Sequence, residues 1–289
     1  MAADLIPAFC KDLELQRQVQ TAKEGAARDH FDIWWLGQSG FLVQWNGVVV
    51  LFDPYLSDSL TKKYSGTSKP HVRMGERVIN PELLNQIDIV TSSHNHTDHL
   101  DADTLLPLLR VNPGITLIIP EANREFVCDR VKCPLDFPLG LNDKQSVAVK
   151  EFSFYGVPAA HNTIERNEKG QCKFMGFVVR FGKWTLYHSG DTLWYDDMVD
   201  VLKPFNIDVA FLPINGNDPS RGVAGNLSCA EAAALGHQLG VRLIIPHHYH
   251  MFEFNTADPD DFATEARALS QPFRILKLGE HLTFPAKTT

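Results

Sequence analysis

The sequence predicts an α/β (α+β) chain built as two halves, each a sheet with helices on its outer side. Three observations carry this. Apolar runs of strand length alternate with short helical patterns between residues 48 and 130. The pattern returns to hairpins from Ser146 and alternates with helices again after Tyr187. At five places an apolar strand ends with His or Asp just past it: Asp53, His94 to His99, His161, Asp191 and His247-His248. Strand ends in a layered fold gather at one edge, so residues far apart in sequence can meet there.

Residues 13–27 read as a leading helix that Gly25 weakens, and 1–31 as an N-terminal helical extension of a single domain spanning 1–289. Strands at 33–36 and 41–45 flank Gly37-Gln38-Ser39-Gly40. Asn46-Gly47 is a hairpin signal, since both residues tolerate positive φ. The return strand 48–52 is apolar throughout, which predicts cover on both faces. It ends at Asp53, which reads either as a turn cap or as a carboxylate orienting a metal ligand. Residues 55–78 form a long aperiodic loop of the kind that is functional or disordered. Within it His71 and Arg73 read as ordinary surface residues, with a place in a substrate pocket as the alternative.

Asn80-Pro81-Glu82 opens a short helix ending near Gln86. Residues 87–91 are a strand. Asp101 or Asp103 caps the next helix, whose inward stripe is Leu105, Leu108 and Leu109, and Asn112-Pro113-Gly114 stops it. A buried strand (116–119) and a short helix (121–130) follow. Residues 147–157 run in strand character, and strands 175–181 and 183–187 join at Gly182. After a helix at 196–203 and a strand at 208–212 comes the loop 215–222. Ser228 to Glu231 is a capping box opening a helix to Leu239. A strand at 241–245, a helix from Asp258-Pro259, and strands at 275–278 and 282–284 close the chain.

The strand at 87–91 delivers Ser93-His94-Asn95-His96-Thr97-Asp98-His99-Leu100-Asp101. Its four ligand-type side chains do not share one helical face, where they would recur every three or four residues. They fit a chain leaving a strand: His94 and His96 point the same way, and a turn brings Asp98 and His99 round to them. Imidazole with carboxylate suits zinc, manganese or iron rather than calcium. With 12 histidines in 289 residues, such a pattern arises by chance in on the order of one chain in a thousand. His161 or His248 alone would read as a structural histidine; beside this motif they read as ligands. Gly190 lets the backbone approach the site, which suits Asp191 as a bridging carboxylate.

A formal charge of -8 and a pI near 5.8 argue against a general nucleic-acid binder, which needs a basic face. No apolar run reaches membrane-spanning length. Residues 1–23 lack the apolar region of a signal peptide. The five scattered cysteines include no Cys-x-x-Cys pair, so they read as thiols, Cys128 and Cys133 included. A cytoplasmic location is the expectation, with a small molecule rather than a nucleic acid or a membrane as partner.

The His-x-His-x-Asp-His motif at His94 to His99, the lone His161, Gly190-Asp191 and a late histidine resemble the metallo-β-lactamase superfamily. Within it the chain is most similar to the L-ascorbate-6-phosphate lactonase-like subgroup. That likeness lies in Trp34-Trp35-Leu36-Gly37, Ile87-Asp88, Tyr187-His188-Ser189-Gly190-Asp191, Pro219-Ser220-Arg221-Gly222, Ile245-Pro246-His247-His248 and Ala257-Asp258-Pro259. The resemblance implies an αββα four-layer sandwich, two mixed sheets with helices outside, and a dinuclear site at one edge. It implies two divalent ions, Zn2+ ahead of Mn2+. His94, His96 and His161 would hold one, Asp98, His99 and His248 the other, with Asp191 bridging. His248 is preferred to His247 for its spacing to the aromatic-containing loop that follows.

The implied reaction is metal-dependent hydrolysis. Water activated between the ions attacks a carbonyl or phosphorus centre, and Asp98 orients it and shuttles its proton. Asp53 and His188 would support the ligands. Arg221 would bind an anionic substrate group or form a structural salt bridge. The leading expectation is opening of a lactone, or cleavage of a related ester, of a small sugar acid, phosphorylated or not. The alternative is a phosphodiesterase of the N-acylphosphatidylethanolamine phospholipase D-like type. A non-hydrolytic metal-binding or redox role is a third reading; the complete set of seven ligands argues against a degenerate binder, and the lack of a flavin or rubredoxin-like region argues against a redox role. Substrate choice is expected in loops 55–78 and 215–225, and relatives of this kind imply a homo-oligomer.

Overall fold

The computed structural model describes residues 5–285. Helix α1 (Asp12–Gly25) is followed by the meander β1 (Phe31–Gly37), β2 (Gly40–Trp45) and β3 (Val48–Phe52). The hairpin between β2 and β3 turns on Asn46 and Gly47, both at positive φ (48° and 76°). Next come α2 (Ser59–Lys63), β4 (Ile89–Thr91), α3 (Ala102–Val111), β5 (Thr116–Pro120), α4 (Arg124–Val131) and β6 (Leu139–Leu141). The second half holds β7 (Ser146–Val149), β8 (Phe152–Pro158), β9 (Met175–Phe181), β10 (Trp184–His188) and α5 (Met198–Leu202). It continues through β11 (Val209–Pro213), α6 (Cys229–Leu239), β12 (Leu243–His247) and α7 (Pro259–Ala268), and β13 (His281–Phe284) returns to the first half.

Two mixed sheets result. The first has seven strands in the order β13-β1-β2-β3-β4-β5-β6, and the second six in the order β12-β11-β10-β9-β8-β7. Pairing is antiparallel from β13 to β3 and parallel from β3 to β6. It is parallel among β10, β11 and β12 and antiparallel from β7 to β10. Every residue of β1, β2, β3, β10 and β11 is buried, because each central strand has the other sheet on one face and helices on the other. Aromatic rings fill the space between the sheets. Phe41 stacks on Phe211 with centroids 3.9 Å apart, Phe31 meets Phe181 edge-on at 5.1 Å, and Phe52 stacks on His188 at 5.3 Å. Leu15 and Val19 of α1, and Ala232, Ala233 and Leu235 of α6, are buried in the outer layers. This is the αββα sandwich expected above. Among the described residues no helix is long and apolar enough to cross a membrane.

Several elements depart from the sequence reading. The run at 147–157 is a hairpin, with Val149 paired to Phe152 and Lys150 at φ 53° in the turn. Residues 275–278 form no strand. Their neighbourhood bonds to three separate partners, Arg274 N to Ile244 O, Phe9 N to Leu278 O and Gly279 N to Trp35 O, while Leu276 and Leu278 plug the core. The short helix at residue 81 is a single 3-10 turn, Pro81–Leu83, capped by Asn80, which accepts from Glu82 N. The Ser228 capping box and the Asp258 cap form as expected. Neither α2 nor β6 was foreseen.

Phe41→Ala, which empties a stacked position between the sheets, is expected to cost about 3–5 kcal/mol. Urea denaturation followed by tryptophan fluorescence measures it, and a cost below about 1 kcal/mol would mean that this stack does not join the sheets.

Candidate metal centre

All the candidate ligands stand at one edge of the sandwich, beyond strand ends. His94, His96, Asp98 and His99 follow β4 in the first sheet; His161, Asp191 and His248 follow β8, β10 and β12 in the second. The loop carrying the first four is closed by His99 N and Leu100 N, both donating to His96 O. Arg130 of α4 clamps it from outside, with Nη1 donating to Asn95 O (2.8 Å) and Leu100 O (3.2 Å). Gly190 (φ 61°) lies where a Cβ would come within 2.8 Å of Met175 O and of Ser93, so only glycine lets Asp191 pass this close to the first sheet.

The seven residues fall into two groups. One ligand atom from each of His94, His96 and His161 lies within 4.8 Å of the others, and the same holds for Asp98, His99, Asp191 and His248. Asp191 stands between two imidazoles, Oδ1 3.3 Å from His99 Nε2 and Oδ2 3.4 Å from His248 Nε2. Its charge also acts on His94, His96 and His161. Three candidate ligand atoms are buried with no hydrogen-bond partner: His94 Nε2, His99 Nε2 and Asp191 Oδ1. His99 Nε2 and Asp191 Oδ1 are near one another yet not aligned to bond. An unpaired buried polar atom costs about 1–3 kcal/mol. Several such atoms converging on shared points, all imidazole nitrogen or carboxylate oxygen, fit divalent transition metals.

Charge points the same way. Burial pushes His94 well below the usual histidine range and His161 down to about 4, which keeps both in the neutral form that metal binding needs. At His99 burial also pushes down, but Asp191, Asp98 and Asp53 outweigh it and hold the imidazole well above the usual range. Three carboxylates around one ring therefore call for a cation.

Asp53 carries the support role. Fully buried at the end of β3, it accepts from His99 Nδ1 (2.8 Å), Thr91 Oγ1 (2.9 Å), Ser93 N (3.0 Å) and the Ser93 hydroxyl. With that hydroxyl proton given to Asp53, Ser93 Oγ accepts from His94 Nδ1 at 3.0 Å. One carboxylate thus fixes the tautomers of two ligands and points each Nε2 at the site.

His188 supports from the other sheet. Its Nε2 donates to Ser39 O (2.8 Å), and its Nδ1 accepts from Gly190 N (3.2 Å). It therefore ties the segment before Asp191 to the β1–β2 turn. His247 lies away from the ligand groups, with Nδ1 3.2 Å from Ser39 Oγ and its ring stacked on His188. Arg221 is engaged within its own surroundings, donating to Asn215 O (2.6 Å), Asn255 Oδ1 and Thr256 O, and does not line the cavity over the site.

That cavity has a volume of about 590 Å³, and its floor includes His96, Asp98, His161, Asp191 and His248. Both loops expected to govern substrate choice line it. Leu60, Lys63, Tyr64, Lys69 and His71 come from one, and Gly222, Val223 and Ala224 from the other. Lys69 Nζ donates to Gly222 O (2.6 Å) and joins the two loops. His71 is thus a pocket residue, contrary to the surface reading: its ring stacks on Tyr64 and meets Phe252 and Phe254 edge-on. Arg73 bonds to Asp58 and Ser57 O and stays outside. Phe126 and Arg130 of α4, Phe252 and Phe254, and the lysines were not foreseen. Gln38, whose side chain reaches two ligands, was missed as well; its only signal was a polar residue between two glycine-flanked apolar strands.

A two-sheet sandwich with this His/Asp set at its edge defines the metal-dependent hydrolases of the metallo-β-lactamase fold. The chain belongs to the beta-lactamase superfamily, whose domain model matches residues 32–248, and within it to the UPF0173 metal-dependent hydrolase family. It is 31% identical over 261 residues to a UPF0173 metal-dependent hydrolase of Rubrobacter xylanophilus, covering 86% of this chain and 95% of that one. It is 27% identical to one from Caldivirga maquilingensis, over 88% of this chain and 98% of the relative. Among solved structures, a metallo hydrolase from Ignicoccus hospitalis shares the fold with a TM-score of 0.65 and 22% identity, covering 89% of this chain and all of the other.

Asp53→Asn removes the charge that His99 Nδ1 meets directly and that His94 Nδ1 meets through Ser93. Metal affinity is expected to fall about 10–100-fold, read by competition against a chromogenic chelator; unchanged affinity would deny Asp53 this role.

Proposed function

We propose that the protein hydrolyses a small anionic ester, a lactone of a sugar acid being the leading candidate, with two divalent ions, zinc ahead of manganese, in the two ligand groups and Asp191 between them. The observation that carries this reading is the cavity itself: the candidate metal ligands floor it, and Lys63, Lys69 and His71 also line it. Its volume lies within the usual range for small-molecule sites. Bound there, divalent ions supply Lewis acidity to a carbonyl oxygen and acidify water toward a pKa of about 7.

The chain's own groups divide the remaining work. The lysines hold the anionic end of the substrate and so fix which bond lies over the floor. Asp98 is the more open of the two carboxylates at the site, its side chain 17% exposed against 5% for Asp191. Burial pushes Asp98 up, but His99 and His248 outweigh it and hold the carboxyl below its ordinary value, so it stays an acceptor. It orients the attacking water and passes the proton to the leaving oxygen. Tyr64, Phe126, Phe252 and Phe254 exclude water around the bond being cut.

A phosphodiesterase uses the same floor, and the cationic loops suit a phosphoryl oxygen equally well. The cavity's size favours the smaller substrate: a phospholipid would leave its acyl chains outside.

The test is a panel of lactones and phosphodiesters, charged and neutral, run on protein reconstituted separately with zinc and with manganese. Turnover of anionic lactones alone is the expected result, and turnover of phosphodiesters alone would overturn the lactone reading. Chelation, or His96→Ala, is expected to reduce activity to background. Lys63→Ala should raise KM about threefold to fivefold for anionic substrates and leave neutral ones unchanged.

A further inference from the structure

Among the described residues four arginines are half-buried: Arg73, Arg124, Arg130 and Arg221. Three of them meet a carboxylate, Arg73 at Asp58 (2.7 Å), Arg124 at Glu121 (2.6 Å) and Arg221 at Asp218 (3.9 Å). Arg130 has no ion pair with any described residue. Burial lowers its pKa, and of the surrounding charges Asp101 opposes this. Arg130 also lines the cavity over the candidate metal centre, and its charge acts on His96. A cation withdrawn from water without a counter-charge is costly unless something else supplies one.

The guanidinium is held in one orientation. Its Cζ lies over the Phe126 ring, 4.5 Å from the centroid, and Phe126 is a cavity residue four positions earlier on α4. A guanidinium has five N–H donors. Nη1 spends its two on Asn95 O (2.8 Å) and Leu100 O (3.2 Å). Nε–H and the two hydrogens of Nη2 find no acceptor among the described residues. What remains is the Nε–Nη2 edge, a fork that matches two oxygens of one carboxylate or phosphate. The cavity lysines lack that geometry. Lys63 is exposed, with Nζ 5.1 Å from the Tyr64 ring centroid, and Lys69 Nζ already donates to Gly222 O. They draw an anion in, and Arg130 gives it a direction.

We propose that the Nε–Nη2 edge of Arg130 is an oxoanion seat within the cavity, a specificity-determining contact for a phosphate or carboxylate that the substrate carries besides the bond being cut. In a lactone the acid's own carboxyl is tied up in the ring, so the group at Arg130 is a second acidic group. Ring opening creates one new carboxylate and leaves the group at Arg130 unchanged. This deepens the reading of the cavity as a hydrolytic site and rests on it for the substrate, while the seat itself is read by binding alone.

The test is calorimetric titration of metal-loaded full-length protein with glycerol phosphate and with glycerate, glycerol being the neutral control. At least one anion should bind and glycerol should not, and the tighter of the two tells a phosphate seat from a carboxylate seat. Arg130→Lys keeps a charge and loses the fork. It should weaken the bound anion about tenfold, the worth of roughly one charge-assisted hydrogen bond, with metal affinity, read by chelator competition, unchanged. Phe126→Leu, at a ring 44% exposed, keeps the arginine and removes its platform. It should weaken the anion about threefold, and it carries the test if the lysine variant does not hold metal. Anion affinity unmoved by both substitutions, or falling only in step with metal affinity, would overturn the seat and leave Arg130 as a clamp on the histidine loop. Absence of anion binding to the wild-type protein would overturn it too. Turnover of phosphodiesters alone in the panel above, with the Arg130 effect on anion binding intact, would remove the lactone and keep the seat.

Discussion

The site depends on one buried carboxylate. Asp53 has no access to water, and a charge in that position persists only when its lone pairs are fully used. They are: His99, Ser93 through both its backbone and its hydroxyl, and Thr91 all donate to it. Burial alone would raise its pKa, yet the bond from His99 and the nearby His188 keep it below the usual carboxylate range. Because its donors lie on the end of β4 and in the histidine loop, the same bonds that keep Asp53 charged also aim the ligands. Removing the charge would leave two imidazoles free to turn.

Backbone conformation around the site is unusual in a consistent way. Gln38, Asp53 and His248, all non-glycine, adopt positive φ of 49°, 38° and 66°. Such residues carry about 1–3 kcal/mol each and persist where their surroundings over-determine them. Each stands just past the end of a strand, where the chain must reverse sharply to present a side chain at the edge. The apolar interior between the sheets offsets that strain, since the strands themselves are buried on both faces.

Much of this was legible in the sequence because local chemistry and fold agree. His94 to His99 could be placed on a strand-to-turn exit from spacing alone, and Asn46-Gly47 and Ser228 signalled their turn and cap by backbone preference. Asp53 was legible as a strand-end acid, though not as the group that orients His99 directly and His94 through Ser93. Elsewhere the deciding contacts are long-range. Lys150 turns a hairpin without glycine or asparagine, so nothing in its neighbours announced it. Residues 275–278 have strand composition, but Leu278 O accepts from the N-terminal segment while the flanking Gly279 and Arg274 bond to β1 and β12. His71, Lys63 and Lys69 sit in an aperiodic loop whose position over the site is fixed by Phe252, Phe254 and Gly222, far along the chain. Arg221 lies in a motif that invited an anion-binding role, yet its donors are taken by Asn215, Asn255 and Thr256.

Each ligand group draws on both sheets: His94 and His96 with His161, and Asp98 and His99 with Asp191 and His248. Ion occupancy is therefore a gauge of how the two sheets sit against each other. A sliding of one over the other would move His161 against His94 and His96, and Asp191 and His248 against Asp98 and His99, by the same amount. Conservative changes at Phe41, Phe211 or Phe181 can thus be silent in stability and still be felt as poor metal retention, which makes the packing between the sheets a determinant of catalysis at a distance.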